Sequence, residues 1–188
     1  MEFYGQLFDQ RSEHPAQWVQ HDFEQCLFQN LNLSAVTFAK SNFVNCRFEN
    51  CNLTQTMLPS TKLDDIIFVN CHLIHVGFGL CNPFGLRMNF EQCRLDYAVF
   101  LDKKLKKMQF IECSMKEVHF LECDLTNALF DSCDLELAKF TGNNLTGANF
   151  SSSYNLRLDP DDNSIKKARF SRHNLPGLLT KYDIKILE

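Results

Sequence analysis

Nine cysteines are the side chains of this chain best suited to chemistry, since thiols bind metals and form disulfides. Neither use fits their spacing, because no CxxC pair is present and nine is an odd number in a chain without an evident export signal. Instead, within each half of the chain, multiples of five residues separate the cysteines. The nine are Cys26, Cys46, Cys51, Cys71, Cys81, Cys93, Cys113, Cys123 and Cys133.

Histidines and serines offer no better candidates for a reactive site. The histidines show neither HExxH nor another metal-ligand spacing, and the chain contains no GxSxG turn and no GxxxxGK phosphate loop. We therefore predict no catalytic residue, no bound metal and no cofactor, and we expect the protein not to be an enzyme. The histidines are His14, His21, His72, His75, His119 and His173.

A five-residue period indicates the structure that must hold these side chains. A Phe, Leu or Met occupies twelve successive fifth positions from Phe23 to Phe78 and thirteen from Phe90 to Phe150. This period suits neither an α-helix nor a simple strand, so the chain must turn a corner every five residues. Four such units close a square coil of about twenty residues, and stacked coils lie about 4.8 Å apart. The pattern predicts an all-β solenoid.

The cysteines have a structural explanation in such a solenoid. Eight of them stand two residues before a central Phe, Leu or Met, and Cys81 keeps the same phase. At this position only a small side chain fits beside the central ring, and free cysteine is a small, commonly buried hydrophobe. We predict that all nine thiols are packing residues of the core.

The five-residue period slips once, between the two runs. Phe78 and Phe90 are twelve residues apart instead of ten, so two extra residues lie within residues 79–89. Asn82, Pro83 and two glycines in this segment are typical of turns, which favours a bulged corner, with a binding loop as the alternative. With this slip, both runs form one helix of about six to seven coils.

Individual five-residue units carry a family resemblance. ALFDS at residues 128–132 and CDLEL at residues 133–137 show a small residue, then a central Phe or Leu two positions later, then two variable positions. Over residues 21–150 the chain resembles the pentapeptide repeat family in this pattern, departing from it mainly at His21 and Lys103. The resemblance implies a right-handed quadrilateral β-helix.

The residues before the repeats are expected to form an N-terminal cap. A stacked β-helix has two open ends, and each needs a cover over its unpaired edge and exposed rings. Phe3, Phe8 and Trp18 keep the five-residue phase, so we expect residues 1–20 to fold over the β-helix of residues 21–150.

Residues 151–188 are expected to form a loop, a final partial coil and a short C-terminal helical cap. The five-residue period returns at Ile165 and Phe170, and Asn174 is a predicted N-cap two residues before Pro176. In some members of the family that this chain resembles, the tail joins two subunits instead. The expected state is therefore a monomer, or a homodimer through the C-terminal tail.

Composition bounds the functional classes. The formal net charge of −4 argues against a broad basic surface, so no direct binding of nucleic acid is expected. The chain has no stretch of eighteen apolar residues, so we expect no membrane association and a cytoplasmic location.

The outer surface holds the candidate contacts with a protein partner. Acidic side chains on two sides of the predicted helix form a stripe, an apolar cluster lies on another side, and lysines between Lys62 and Lys107 form a mixed, locally basic patch. The candidate contacts are Glu49, Glu91, Asp96, Glu112, Glu117, Asp131 and Glu136 in the stripe, and Val99, Leu101 and Leu121 in the apolar cluster.

Two functional hypotheses follow from these surfaces. Regularly spaced carboxylates can occupy a basic groove that normally holds DNA phosphates. The resemblance to the quinolone-resistance branch of the family implies a type II topoisomerase, DNA gyrase or topoisomerase IV, as the partner, with protection against fluoroquinolones as the result. The alternative is a scaffold or adaptor that binds an unknown protein through the apolar cluster or the C-terminal tail.

Overall fold

The computed structural model describes residues 1–13, 15 and 17–187, and within this part the chain forms short parallel strands followed by one short helix. The helix α1 spans Leu175–Leu178 and lies between two 3-10 turns, Arg172–Asn174 and Thr180–Tyr182. The strands are Glu2–Tyr4 (β1), Leu7–Phe8 (β2), Asp22–Glu24 (β3), Leu27–Gln29 (β4), Asn42–Val44 (β5), Arg47–Glu49 (β6), Lys62–Asp64 (β7), Ile66–Val69 (β8), Met88–Glu91 (β9), Val99–Leu101 (β10), Gln109–Ile111 (β11), His119–Leu121 (β12), Leu129–Asp131 (β13) and Lys139–Thr141 (β14).

The strands stack into a parallel β-solenoid of about seven turns, as the sequence predicted. Three sides are sheets in the orders β13-β11-β9-β8-β6-β4-β2, β10-β12-β14 and β1-β3-β5-β7, and isolated bridges such as Asn52 with His72 join the remaining side. We number the sides by their central residues: side 1 contains Phe28, Phe48, Phe68, Phe90, Phe110 and Phe130; side 2 contains Leu33, Leu53, Leu73, Leu95, Met115 and Leu135; side 3 contains Phe38, Leu58, Phe78, Phe100, Phe120 and Phe140; side 4 contains Phe23, Phe43, Leu63, Leu105, Leu125 and Leu145.

Left-handed residues make the corners and thereby set the period of five. From Gln20 to His75, and again from Gln92 to Gly147, every fifth residue has a φ between +49° and +70°. A backbone hydrogen bond closes about half of these corners, as between the Val36 N–H and the Leu33 carbonyl at 3.2 Å. Asn and Gly adopt this conformation most readily, which explains why polar and small residues are common at this position.

One continuous stack of phenylalanine rings forms the spine of the core. Because strands on side 1 pair in register, as Phe28 does with Phe48, like residues lie directly over each other. Neighbouring ring centroids are 4.4 to 5.6 Å apart, and the rings are close to parallel. Rings of side 3 meet this stack edge-on, which adds the favourable T-shaped geometry. The stack contains Phe8, Phe28, Phe48, Phe68, Phe90, Phe110, Phe130, Phe150 and Phe170.

All nine cysteines are free and buried, which confirms their prediction as packing residues. Most donate a hydrogen bond to a backbone carbonyl of the preceding turn, as Cys51 does to Phe28 at 3.4 Å. Asn143 makes the equivalent bond to the Phe120 carbonyl at 2.9 Å, so a small polar side chain can be satisfied at the inner position. Five of the thiols form a single column of Cys51, Cys71, Cys93, Cys113 and Cys133.

The thiols are expected to be unreactive in the native protein. Burial raises the pKa of Cys46 and Cys81 to about 12, and hydrogen bonding to neighbouring thiols together with burial raises that of Cys93. At pH 8 the folded protein should therefore react with less than about one equivalent of Ellman's reagent within minutes, because the thiolate is the reacting species. In guanidinium chloride all nine should react. Rapid labelling of the folded protein would contradict this packing.

The slip in the period is a bulged corner on side 4. Phe68 pairs with Phe90 in a parallel ladder, so two residues more than the usual twenty separate these turns, as predicted. The extra residues push Phe84 outward, where it is 80% exposed, while Leu86 remains buried. No backbone hydrogen bond joins residues 82–87 to residues 103–107 within the described chain. Side 4 is therefore interrupted at this level.

Lys103 lies directly after this interruption, at the inner position that most other turns fill with a small or apolar side chain. The residue is only 8% exposed, and no described residue makes a hydrogen bond or an ion pair with its ammonium. Because no fully buried side-chain nitrogen lacks a partner among the described residues, this ammonium must keep some contact with solvent. The side chain therefore extends its stem past the core, as long basic residues do. Lysines beside an open strand edge also discourage pairing with another chain.

Lys103→Asn is expected to raise the free energy of unfolding by about 1 kcal/mol. An asparagine at the inner position can donate to a carbonyl of the preceding turn, as Asn143 does, and it releases the ordered lysine stem. Urea unfolding would measure the change, with Lys104→Asn as the exposed control, for which a shift within about 0.5 kcal/mol is expected. A less stable Lys103→Asn protein would show that the packing of the lysine stem stabilises the fold by more than the conformational entropy lost in ordering it.

Both ends of the chain extend the solenoid. Strand β1 pairs with β3 and β2 pairs with β4, and the Trp18 ring meets Phe38 edge-on at 5.8 Å. At the other end, α1 is four residues long and residues 183–187 form no helix, so the expected short helical cap consists of α1 and the 3-10 turns beside it. Asn174 does occupy the N-cap position. Its side chain, however, makes no cap bond and instead donates to the Phe150 and Ser153 carbonyls.

Candidate protein-interaction surfaces

The flat sides of the solenoid present side chains in rows, where a row is the set of residues that one side contributes in one turn. Within a row, the central residue points inward and its two neighbours point outward, as the burial of Phe110 between Gln109 and Ile111 shows. Rows on one side lie about 4.8 Å apart. A partner therefore meets a regular grid of side chains, and the chemistry of each side depends on which residues stack on which.

Three predicted acidic contacts lie together on side 1, and no Lys, Arg or His of the described residues forms an ion pair with them. Glu91 and Asp131 stand at matching positions two rows apart, with Ile111 between them, and Glu112 lies at the corner of the middle row. Gln92 donates to the Glu112 carboxylate at 3.0 Å, and Ser152 donates to Asp131 at 2.7 Å. Neutral donors therefore hold two of these carboxylates in place while leaving their charge uncompensated.

Other predicted acidic contacts are neutralised by cations. Glu49 accepts a charged bond from Arg47 at 2.5 Å, which is the main cause of its lowered pKa. Glu136 lies 2.7 Å from the Lys116 ammonium, which also lies 3.2 Å from Asp134. These exposed pairs contribute little to stability, but they cancel the field that a cationic partner would meet.

Asp96 and Glu117 stand apart from the side 1 group. Asp96 is only 6% exposed, and its carboxylate accepts bonds from the Ser114 hydroxyl at 2.5 Å and the Lys116 N–H at 3.0 Å. Asp96 therefore stabilises neighbouring rows of side 2 and offers little of its carboxylate to a partner. Glu117 lies at the corner between sides 2 and 3, and its hydrogen bond with Tyr97 is the main cause of the raised pKa of that phenol.

The three predicted apolar contacts share side 3. Val99 pairs with His119, and Leu101 pairs with Leu121 in the next row, so the side chains form one patch. Leu101 is 45% exposed, and Val99 and Leu121 are half-buried. This uncharged surface continues towards the N-terminus through Met57, Pro59, Gly77 and Gly79. The sequence did not indicate this extent, because these outward residues do not follow the five-residue pattern of the central ones.

No group of three His, Cys, Asp or Glu side chains in the described part of the chain could hold a metal ion. The prediction that the histidines form no metal site extends to His14, which lies outside the described residues. None of the helices formed by residues 1–13, 15 and 17–187 has the length and apolar character needed to cross a bilayer.

These features define a repeat protein, a parallel β-solenoid with a filled core. Its flat sides carry the side chains that can contact other molecules. The chain belongs to the pentapeptide repeat family, whose repeat-region model matches residues 21–83 and 86–153. This agrees with the resemblance of the five-residue units and with the slip, which falls between the two matched segments. Comparison with curated proteins found no match.

Solved structures of similar fold include a trypsin-treated variant of QnrB1, a plasmid-mediated fluoroquinolone resistance protein. It is 16% identical, with a TM-score of 0.52, and the alignment covers 100% of this chain and 99% of that one. HetL, a pentapeptide repeat protein involved in heterocyst differentiation regulation from the cyanobacterium Nostoc, is 13% identical, with a TM-score of 0.32 and coverages of 81% and 86%. At these identities the similarity concerns the fold.

Proposed function

We propose that this chain is a cytoplasmic, non-enzymatic protein-interaction module that imitates DNA towards a type II topoisomerase, DNA gyrase or topoisomerase IV, and so protects it from fluoroquinolones. The observation that carries the proposal is the group of Glu91, Glu112 and Asp131 on side 1, to which no cation of the described residues is ion-paired. A DNA-binding groove is basic, so fixed and uncompensated carboxylates are attracted to it. The shared fold with the fluoroquinolone resistance protein QnrB1 supports this choice of partner.

The geometry of side 1 suits an extended basic groove. Glu91 and Asp131 are two rows apart, which corresponds to about 10 Å along the solenoid axis. Because the parallel ladder fixes the backbone of each row, the carboxylates need little reorganisation on binding, and less conformational entropy is lost. A rigid rod with a charged side can thus enter a groove that normally accepts a duplex.

A gyrase supercoiling assay tests this function. The protein is titrated into the reaction with and without a quinolone, and the amounts of supercoiled and cleaved plasmid are measured. Inhibition of supercoiling, or recovery of supercoiling in the presence of the drug, is the expected result at micromolar protein. If neither occurs with gyrase or with topoisomerase IV, the proposed function is wrong.

A second candidate function is that of a scaffold or adaptor that binds another protein through side 3. The observation favouring it is the exposed apolar patch of Val99, Leu101 and Leu121 on side 3. A pull-down from native cytoplasm, comparing the wild type with Leu101→Asp, tests it. Capture of a topoisomerase that is insensitive to Leu101→Asp would favour the first function instead.

A further inference from the structure

Side 3 differs from the other sides in its charge. In six successive rows its outward positions contain no Asp, Glu, Lys or Arg, whereas each other side carries such residues, for example Arg47 and Glu49 on side 1. Stacking fixes this order, as the pairing of Thr37 with Met57 and of Gly77 with Val99 shows. The outward pairs are Gln17 and Val19, Thr37 and Ala39, Met57 and Pro59, Gly77 and Gly79, Val99 and Leu101, and His119 and Leu121.

A notch lies in this surface at Gly77, whereas the Leu101 side chain lies over the neighbouring Gly79, with its Cβ 3.2 Å from the position that a Gly79 Cβ would take. Open space surrounds the position that a Gly77 side chain would occupy, while Met57 is 52% exposed in the row on one side and Leu101 is 45% exposed in the row on the other. Leu80 ends the row at the corner and is 73% exposed. Gly77 is thus the floor of a depression between larger apolar side chains, which can receive one apolar side chain of a partner.

The backbone ladder is also incomplete beneath the notch. Between the row of Met57 and the row of Gly77, the described chain shows neither a β-bridge nor a central backbone hydrogen bond, and only the Ser60 N–H bonds across to Leu80, at 2.8 Å. Behind this opening, Leu58 replaces the phenylalanine of neighbouring turns, and an apolar cavity lies against Leu58 and Phe78. The wall can therefore yield slightly to an inserted side chain without breaking a complete ladder.

Carboxylates lie at both long edges of the two C-terminal rows, those of Val99 and His119, whereas the exposed Lys40 lies at the same corner near the N-terminal end. Asp102 and Glu122 lie in successive turns at the corner between sides 3 and 4, are exposed, and form no ion pair within the described chain. Glu117 lies at the opposite corner. The C-terminal rows thus combine an uncharged apolar centre with carboxylates at their edges, which complements an apolar ridge flanked by cations.

We propose that side 3 binds an amphipathic helix of a partner protein, which inserts an apolar side chain at the Gly77 notch and places Lys or Arg beside Asp102 and Glu122. Six rows span about 24 Å, the length of a helix of about 16 residues. An apolar ridge at i, i+3, i+4 and i+7 fits one flat side, and the flanking positions reach the carboxylates at the two edges. This inference rests on the second candidate function and gives the chemistry of its partner.

Binding of a designed peptide tests the inference. The probe is a fluorescein-labelled peptide of about 18 residues with leucines along one ridge and lysines or arginines on both flanks, titrated with the full chain by fluorescence anisotropy. A micromolar Kd is expected. Gly77→Asp and Leu101→Asp should each raise the Kd about tenfold or more, because a carboxylate would be buried against the leucine ridge.

Matched controls separate this effect from general attraction of a cationic peptide. Leu7→Asp adds the same charge at a side 1 position that is 48% exposed, and it should leave the Kd within about twofold. The pair Asp102→Asn and Glu122→Gln should raise the Kd about fivefold, whereas the pair Glu91→Gln and Glu112→Gln, with the same charge change, should not. Circular dichroism melts would confirm that each variant is folded.

Several outcomes would overturn the inference. One is the absence of peptide binding at about 100 μM protein, and another is an equal loss of affinity in Leu7→Asp and Leu101→Asp. A third is a wild-type dimer, seen by sedimentation, that Leu101→Asp dissociates, because side 3 would then be a contact between two copies of the chain. Binding of the chain to neutral phosphatidylcholine vesicles, abolished by Leu101→Asp, would assign the patch to lipid. None of these results depends on the supercoiling assay, so failure of this inference is distinguishable from failure of the topoisomerase function.

Discussion

Phe110→Ala is expected to lower the free energy of unfolding by about 3–5 kcal/mol, the largest effect of any single substitution considered for this chain. The ring is fully buried, and it stacks on Phe90 at 5.3 Å and on Phe130 at 4.9 Å. Its edge also meets Phe120 at 5.9 Å. The substitution leaves a cavity in the middle of the stack, which a regular ladder cannot collapse to fill.

Urea unfolding followed by circular dichroism would measure this change. Phe84→Ala is a matched control, because it removes the same ring from a position that is 80% exposed on the bulged corner, and a change within about 0.5 kcal/mol is expected. Similar losses in the two variants would mean that the continuous ring stack is not the main source of stability. If the urea dependence of the unfolding free energy falls together with the midpoint concentration of urea, the turns on either side of the cavity unfold separately.

The sequence allowed most of the interior to be predicted because the period repeats the same physical environment. A residue at the central position packs against its counterparts twenty residues away in the sequence. The twenty-residue spacing of Phe48 and Phe68 therefore predicts that their rings stack on each other. The slip could be located for the same reason, since an extra residue shifts every later column. The N-cap at Asn174 was predicted in position but not in role, because its bonds to Phe150 and Ser153 depend on tertiary contact.

The surface could be predicted less completely, because charge compensation depends on pairs that the local pattern does not specify. Asp96 and Glu91 look alike in the sequence, yet Ser114 in the next turn binds Asp96 and draws it inward. Glu136 is neutralised by Lys116, twenty residues earlier. Comparing outward positions at intervals of twenty would have found Lys116 as the partner of Glu136, whereas Ser114 lies eighteen residues from Asp96. The incomplete ladder at Gly77 has no sequence signal of this kind, since a glycine there fits either an intact or an open row.

Glu91→Gln, Glu112→Gln and Asp131→Asn combined are expected to raise the protein concentration that half-inhibits gyrase at least about tenfold. Three charged contacts of about 0.5–1 kcal/mol each amount to about 1.5–3 kcal/mol, and about 1.4 kcal/mol corresponds to a factor of ten. The loss should be smaller at high salt, where the wild type itself binds more weakly. Supercoiling assays at two salt concentrations would measure both effects.

A second triple variant separates the position of the charge from its amount. Glu49→Gln, Asp124→Asn and Glu136→Gln remove the same number of carboxylates, but each of these is already paired with Arg47, Lys106 or Lys116. Inhibition by this control should change less than about threefold, because the released cations only partly oppose binding. If both triple variants lose inhibition equally, net charge governs the interaction and the side 1 carboxylates have no special place in it. If neither triple variant loses inhibition, the carboxylates of side 1 do not enter the DNA-binding groove. The imitation of DNA by this chain is then excluded, even though the chain still inhibits gyrase.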